Sequence, residues 1–277
     1  MSVKVKGLPI RPATEERQSI GQWEIAARQS HILRSSCKCQ DENNDTAKCN
    51  FCSYSSSLNI PLPEMIFDRN TLTLIHLRTG CKLQFNTLDA LKLVDDKDDL
   101  IKVSYSKEWM AKRQDSSHIK NTPKPFDWTY TTRYTGSLSP AEGYKMVERP
   151  TTEEPDQEKL LRRDAILYHT EVVMFEDELA DNGSSKLVVK CRVMADFVLV
   201  LLRFYLRVDR VMVRVQETRW YCEREWGYLL REVVEREAGY SELRHLGSTE
   251  MFDEVGINKH LPVVKKQLVR VDIVTDS

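Results

Sequence analysis

No stretch of this 277-residue chain stays apolar for more than six residues: the longest run, Phe197 to Leu202, ends at Arg203. A membrane-crossing helix needs about 20 such residues, so the sequence contains no span of that kind. Excess charge is also absent. The 41 Lys+Arg almost cancel the 42 Asp+Glu, leaving a net charge of −1. A dedicated nucleic-acid reader draws on a basic surplus and is not expected here. The first residues, Met1 to Arg11, carry Lys4, Lys6 and Arg11 but no apolar block of signal-peptide length. A cytoplasmic protein is therefore expected, with a nuclear location also open, and the two sequons at Asn44 and Asn182 are then chemically idle.

Enzyme signatures are missing as well. The six histidines form no His-x-x-x-His pair, no glycine-rich cradle precedes a Lys-Ser/Thr, and no Gly-x-Ser-x-Gly elbow occurs. A triad assembled from residues distant in sequence stays open on this ground. What is present is a globular balance, 41% apolar and 30% charged, on a chain long enough to bury a core without staples. In a reducing compartment the seven cysteines are thiols or metal ligands rather than disulfides. Cys81, Cys191 and Cys222 stand alone among strand-like residues and are expected to be small core side chains.

Punctuation along the chain suggests the elements. Gly21 to Leu33 reads as extended, followed by a polar, cysteine-bearing loop insertion over about 35–58. Thr71 to Leu77 and Cys81 to Phe85 flank Arg78-Thr79-Gly80 as a hairpin. Asn86 or Thr87 caps a helix through Val94, and Asp156 caps another through Arg163. A brief strand at Lys102 to Ser104 and a helical turn at Lys107 to Arg113 are further expectations. In Lys124 to Gly136, Phe126, Trp128, Tyr130 and Tyr134 crowd a short segment that should lie against something. Strands follow at Ile166–Phe175, Leu187–Met194, Phe197–Val208 and Val211–Thr218. Glu225 to Arg236 reads as a helix, and Val263 to Val274 as either strand or helix.

Alternation along Phe197 to Val208 puts Val198, Val200, Leu202, Phe204, Leu206 and Val208 on one apolar face and Arg203, Tyr205 and Arg207 on the other. A two-residue loop at Asp209-Arg210 would pair residues whose numbers sum to 419, sending Val211, Val213 and Val215 to the core and Arg214 to the arginine face. Clustered guanidinium groups need carboxylates or solvent. Internal candidates are Glu176, Asp177, Glu178, Glu217 and Asp89. The alternative is a groove that receives an acidic or C-terminal carboxylate segment of a partner through the bidentate arginine fork.

Cys37-Lys38-Cys39 and Cys49-Asn50-Phe51-Cys52 offer four thiols in two close pairs, a set that suits tetrahedral zinc. The first pair has one spacer residue where two to four are usual. Reduced thiols without a cofactor are the expectation at Cys37, Cys39, Cys49 and Cys52, and zinc is the alternative.

Several segments taken together closely resemble the TIPRL (TOR signalling pathway regulator-like, TIP-forty-one-like) family. They are Lys124-Pro125-Phe126-Asp127-Trp128-Thr129-Tyr130-Thr131-Thr132, Phe175-Glu176-Asp177-Glu178-Leu179, the strand Val189 to Met194, Leu201-Leu202-Arg203-Phe204, Leu206-Arg207-Val208-Asp209 and Glu217-Thr218-Arg219. The likeness runs in order from about Gly21 to Pro262. It implies a non-catalytic regulator in TOR signalling that binds, and is expected to inhibit, the catalytic subunits of protein phosphatases 2A, 4 and 6 through their C-terminal tails. Carried onto this sequence, the partner-binding residues would be Asp89, Trp128, Tyr130, Arg203, Arg207, Arg214 and Arg219. Arg210 stands where a glycine would ease a positive φ, and Pro155 and Val215 replace other apolar residues. A zinc-stiffened scaffold docking through the cysteine loop, or an enzyme acting on an anionic small molecule, is the competing reading. The expected architecture is α+β: two layers of antiparallel sheet flanked by helices, a monomeric single domain over 21–277 with a cleft and a flexible segment 1–20.

Overall fold

A computed structural model describes residues 13–33, 49–58, 60–94 and 129–276. The chain opens with a hairpin of β1 (Thr14–Ile20) and β2 (Trp23–Gln29), then α1 (Asn50–Ser57), β3 (Met65–Ile66), β4 (Thr71–His76), β5 (Lys82–Asn86) and α2 (Thr87–Leu91). After β6 (Ser137–Ser139) and β7 (Tyr144–Pro150) comes α3 (Gln157–Leu161). Five long strands follow: β8 (Tyr168–Asp177), β9 (Gly183–Val193), β10 (Phe197–Val208), β11 (Met212–Glu223) and β12 (Tyr228–Gly239). A covering segment with α4 (Ser248–Met251) and a 3₁₀ turn (Gly256–His260) leads to β13 (Val263–Thr275). Five strands form one sheet in the order β1-β2-β4-β5-β6, and eight form another in the order β3-β8-β9-β10-β11-β12-β13-β7. Every strand pairing is antiparallel.

The two-layer α+β expectation holds. Alternation in β4 buries Leu72, Leu74 and His76, and β2 contributes Trp23, Ile25 and Ala27. All of these but His76 share one continuous core with the apolar face of β10, from Val198 through Val208. Cys81, Cys191 and Cys222 are buried, and Cys191 and Cys222 pack within or beside this apolar interior. Burial pushes the Cys191 thiol up to about 12.

Asn86 caps α2, its Oδ1 accepting the Asp89 N–H at 2.8 Å. The helix ends at Leu91, short of Val94. Asn86→Ala is expected to lower stability by about 1 kcal/mol, read as a shift of the urea midpoint at unchanged slope. Asp156 likewise caps α3, accepting from the N–H groups of Glu158 and Lys159.

Four expectations need correction. Residues Thr14–Ile20, placed in a flexible leader, form β1 against β2. Part of the loop insertion, Asn50–Ser57, is helical. The stretch read as a helix, Glu225 to Arg236, is mostly strand β12. Its apolar pairs Leu229-Leu230 and Val233-Val234 repeat four residues apart and imitate a helical stripe. In the strand, one member of each pair faces each side, and all four are buried because both faces are covered.

The fourth correction is the hairpin register. Val208 pairs with Met212, so the loop has three residues, Asp209-Arg210-Val211, and opposite numbers sum to one more than expected. Arg210 takes the left-handed φ of +65° that closes such a loop. A slip of one residue exchanges the faces of β11. Val213 and Val215 therefore lie on the face of Arg203, Tyr205 and Arg207, while Arg214 lies opposite Leu206 on the other face. The strand expected at Lys102 to Ser104 and the helical turn expected at Lys107 to Arg113 fall outside the described residues.

Candidate partner-binding cleft

The outer face of the eight-stranded sheet is roofed at one end by the segment 240–261. There Tyr205, Val213, Val215 and Ala238 pack under Leu243, Met251, Ile257 and Leu261 as a second core. At the other end α3 and the strap 151–156 lean over the sheet. Beside α3 and the strap lies a cleft of about 310 Å³. Its apolar wall is Pro155, Leu160, Met194, Phe197 and Leu199. Four cations, Arg162, Arg192, Arg219 and Lys266, reach it, against two carboxylates, Glu154 and Glu232.

The cations differ in commitment. Arg162 holds Asp164 at 3.0 Å and Asp196 at 2.6 Å. Arg219 donates to Glu232 at 2.8 Å and also reaches Glu217. Lys266 bridges Glu154 at 3.1 Å and Glu232 at 3.2 Å. Arg192 is exposed and has no ion-pair partner among the described residues. Burial pushes the Glu232 carboxyl up, but hydrogen bonds and charge from Arg219 and Lys266 outweigh it and hold the group below the usual carboxylate range. Such a surface suits an extended ligand with negative charge and apolar side chains. A terminal carboxylate is well matched to the arginine at its floor.

Under the 240–261 roof, Glu217 is the hub. Its Oε1 accepts from Arg203 Nε at 3.0 Å and from Asn258 Nδ2 at 2.8 Å, and the carboxylate is also bonded by Arg219. Burial works against its ionisation, and Arg203 first, then Arg219 and Asn258, more than offset that and lower its pKa. Arg207 holds Asp209 at 2.8 Å and lies 4.1 Å from the Phe252 ring centroid. Arg214 donates to Glu237, its cross-strand partner, at 2.6 Å.

The seven sequence candidates therefore disperse. Arg219 lines the cleft. Arg203, Arg207 and Arg214 are neutralised within the fold, the first two under the roof and the third on the opposite face, so the exposed arginine platform is not formed. Asp89 sits beside the small sheet, where its carboxylate accepts from Asn86 at 2.8 Å and from Ser137 at 2.5 Å. Tyr130 is buried against Phe175, ring centroids 6.2 Å apart, with a backbone φ of +53°. Trp128, Cys37 and Cys39 lie outside the described residues. Cys49 precedes α1 and Cys52 is within it, and among the described residues no cluster of three or more His, Cys, Asp or Glu could hold a metal. Sequence reasoning missed Arg162, Arg192 and Lys266. A usable signal existed: the unbroken run Phe197 to Leu202 supplies apolar side chains to both faces, so the outer face needed a cover or a ligand.

Comparisons with known proteins agree on one kinship. The model of the TIP41-like family matches residues 65–244. A TIP41-like protein of Caenorhabditis elegans is 42% identical over 262 residues, covering 94% of this chain and 91% of that protein. A human TIP41-like protein is 39% identical over 244 residues, 88% of this chain and 84% of its own length. The Saccharomyces cerevisiae relative, named type 2A phosphatase activator TIP41, is 35% identical over 271 residues, 90% of this chain and 72% of its length.

Proposed function

The chain belongs to the TIP41-like family, and from that premise we propose that it regulates type 2A-like serine/threonine phosphatases by binding their catalytic subunits, without catalysis of its own. The observation that carries the reading is the cleft, an apolar groove over the large sheet lined by four cations, of which Arg192 has no ion-pair partner among the described residues. A flexible C-terminal tail with its free carboxylate is the fitting occupant, and phosphatases 2A, 4 and 6 are the proposed owners of that tail. The contact runs through Arg192, Arg219 and Lys266 rather than through the arginines under the roof. The place in TOR signalling rests on the resemblance.

Occupying the tail and the nearby phosphatase surface would inhibit the enzyme or hold an immature form. The name of the yeast relative carries the opposite sign, so the test reads turnover as well as capture. Purified catalytic subunits, intact and with the tail removed, are presented to the full chain, and tail-dependent capture is the expected result. Equal capture without the tail, or none, overturns the reading. Arg192→Glu is expected to weaken capture about ten-fold, or about 1.4 kcal/mol. Its unfolding midpoint should not change, because Arg192 is exposed and forms no ion pair among the described residues.

A further inference from the structure

The strap that roofs one side of the cleft is itself acidic, Glu153-Glu154-Pro155-Asp156, and three of its members have distinct employments. Glu153 is locked: its Oε1 accepts from the Tyr228 hydroxyl at 2.7 Å, and its Oε2 from Arg270 at 3.0 Å. Asp156 is spent on the N-terminus of α3. The strap is also fastened at its start, where the Thr151 N–H donates to the Leu268 carbonyl at 3.2 Å and the Thr151 hydroxyl accepts from the Glu153 N–H at 3.0 Å. This leaves Glu154, which lines the cleft, with a single ion-pair partner among the described residues, Lys266.

Lys266 has two carboxylates. Glu232 is the firmer, with a side chain 17% exposed and also bonded by Arg219, whereas the Glu154 side chain is 51% exposed. An exposed pair of this kind contributes little to folding. Its position, however, keeps occupied one of the cations that an anionic ligand would use. Resting on the proposed tail-binding role of the cleft, we infer that Glu154 is a built-in competitor, holding Lys266 until an acidic, carboxylate-ended segment displaces it. It sets an affinity threshold: weakly charged segments fail to displace it, and segments bearing a carboxylate near Lys266 succeed.

The test uses the full chain and a ten-residue synthetic peptide copying the C-terminus of a type 2A phosphatase catalytic subunit, with a free carboxylate, titrated by calorimetry at low and at physiological ionic strength. Glu154→Gln is expected to tighten binding about three- to ten-fold at low salt, with a smaller gain at about 0.15 M salt because the interacting charges are exposed and screened. In a Lys266→Gln background the same change should gain less than about two-fold, since the cation it would release is gone. Glu154→Gln should keep the thermal midpoint of the parent. Should the parent chain bind no peptide, the cleft reading falls and takes this inference with it. Should the parent bind while Glu154→Gln binds equally or more weakly, the competitor role alone is overturned. An undiminished gain in the Lys266→Gln background also overturns it, because Glu154 would then act on the ligand directly and not through Lys266.

Discussion

Replacing Glu217 with alanine is expected to lower the free energy of unfolding by about 3–5 kcal/mol, the cost of stripping one partner from a buried ion pair. The Glu217 side chain is 3% exposed and that of Arg203 12%. Without the carboxylate, the largely buried Arg203 guanidinium keeps a long hydrogen bond to the Glu254 carbonyl, at 3.5 Å, and the more distant charge of Asp253. Asn258 loses its acceptor too, and with it the tie that holds the 3₁₀ turn to the sheet. The pH dependence has a definite sign. A depressed carboxylate contributes stability that is complete above the unfolded value, about 4.3, and is lost as pH falls through the lower folded value. The parent should therefore lose stability below about pH 4 more steeply than Glu217→Ala. Urea unfolding at pH 7 and at pH 3.5 measures both. A loss under 1 kcal/mol at pH 7 would mean that this pair is worth no more than a surface bridge.

Asp177→Ala is expected to cost about 2–4 kcal/mol, because a buried and a part-buried backbone donor lose their acceptor. The Glu64 N–H reaches Oδ2 at 2.9 Å and the Leu179 N–H reaches Oδ1 at 2.7 Å, and the Tyr130 hydroxyl is a third donor. These bonds hold a turn in which Leu179, Ala180 and Asp181 all adopt left-handed φ values of 49–63°, each unfavourable for a side chain with a Cβ. Asn182 adds two bonds from its amide to the carbonyls of Leu179 and Ala180. Burial pushes the Asp177 carboxyl up to about 7 against the pull of its hydrogen bonds. Here the sign is the reverse of Glu217. Between about pH 4 and pH 7 the folded state keeps a proton the unfolded chain has released, so this group makes stability fall as pH rises and level off above 7. Comparing the parent with Asp177→Ala at pH 5 and pH 8 isolates that slope. Identical slopes would show that the carboxyl titrates normally.

Both residues show where sequence reasoning reached and where it stopped. Asp177 and Glu217 were among the internal carboxylates proposed for the arginines, and Glu217 does take Arg203 and Arg219. Asp177 serves the backbone instead, because the turn after β8 folds back on its own carboxylate. The arginine face itself depended on a register, and register depended on whether Val211 belonged to the loop. Arg210 at positive φ decided it, and one residue of slip moved Arg214 across the sheet. Cleft residues such as Arg162, Arg192 and Lys266 come from α3 and its connector, β9 and β13. No local pattern relates them.

By itself the sequence determined the kind of structure and the kinship: alternating strands with an apolar face, capped short helices, absent enzyme signatures, and motifs shared with the TIP41-like family. These are local or linear properties, set by side-chain periodicity and turn chemistry within a few residues. Tertiary structure alone decided which charges are spent and which are available. Arg203 and Arg192 read alike along the chain, yet one is sealed against Glu217 and the other stands at an open cleft, because pairing and solvent access depend on which distant segments cover a strand face.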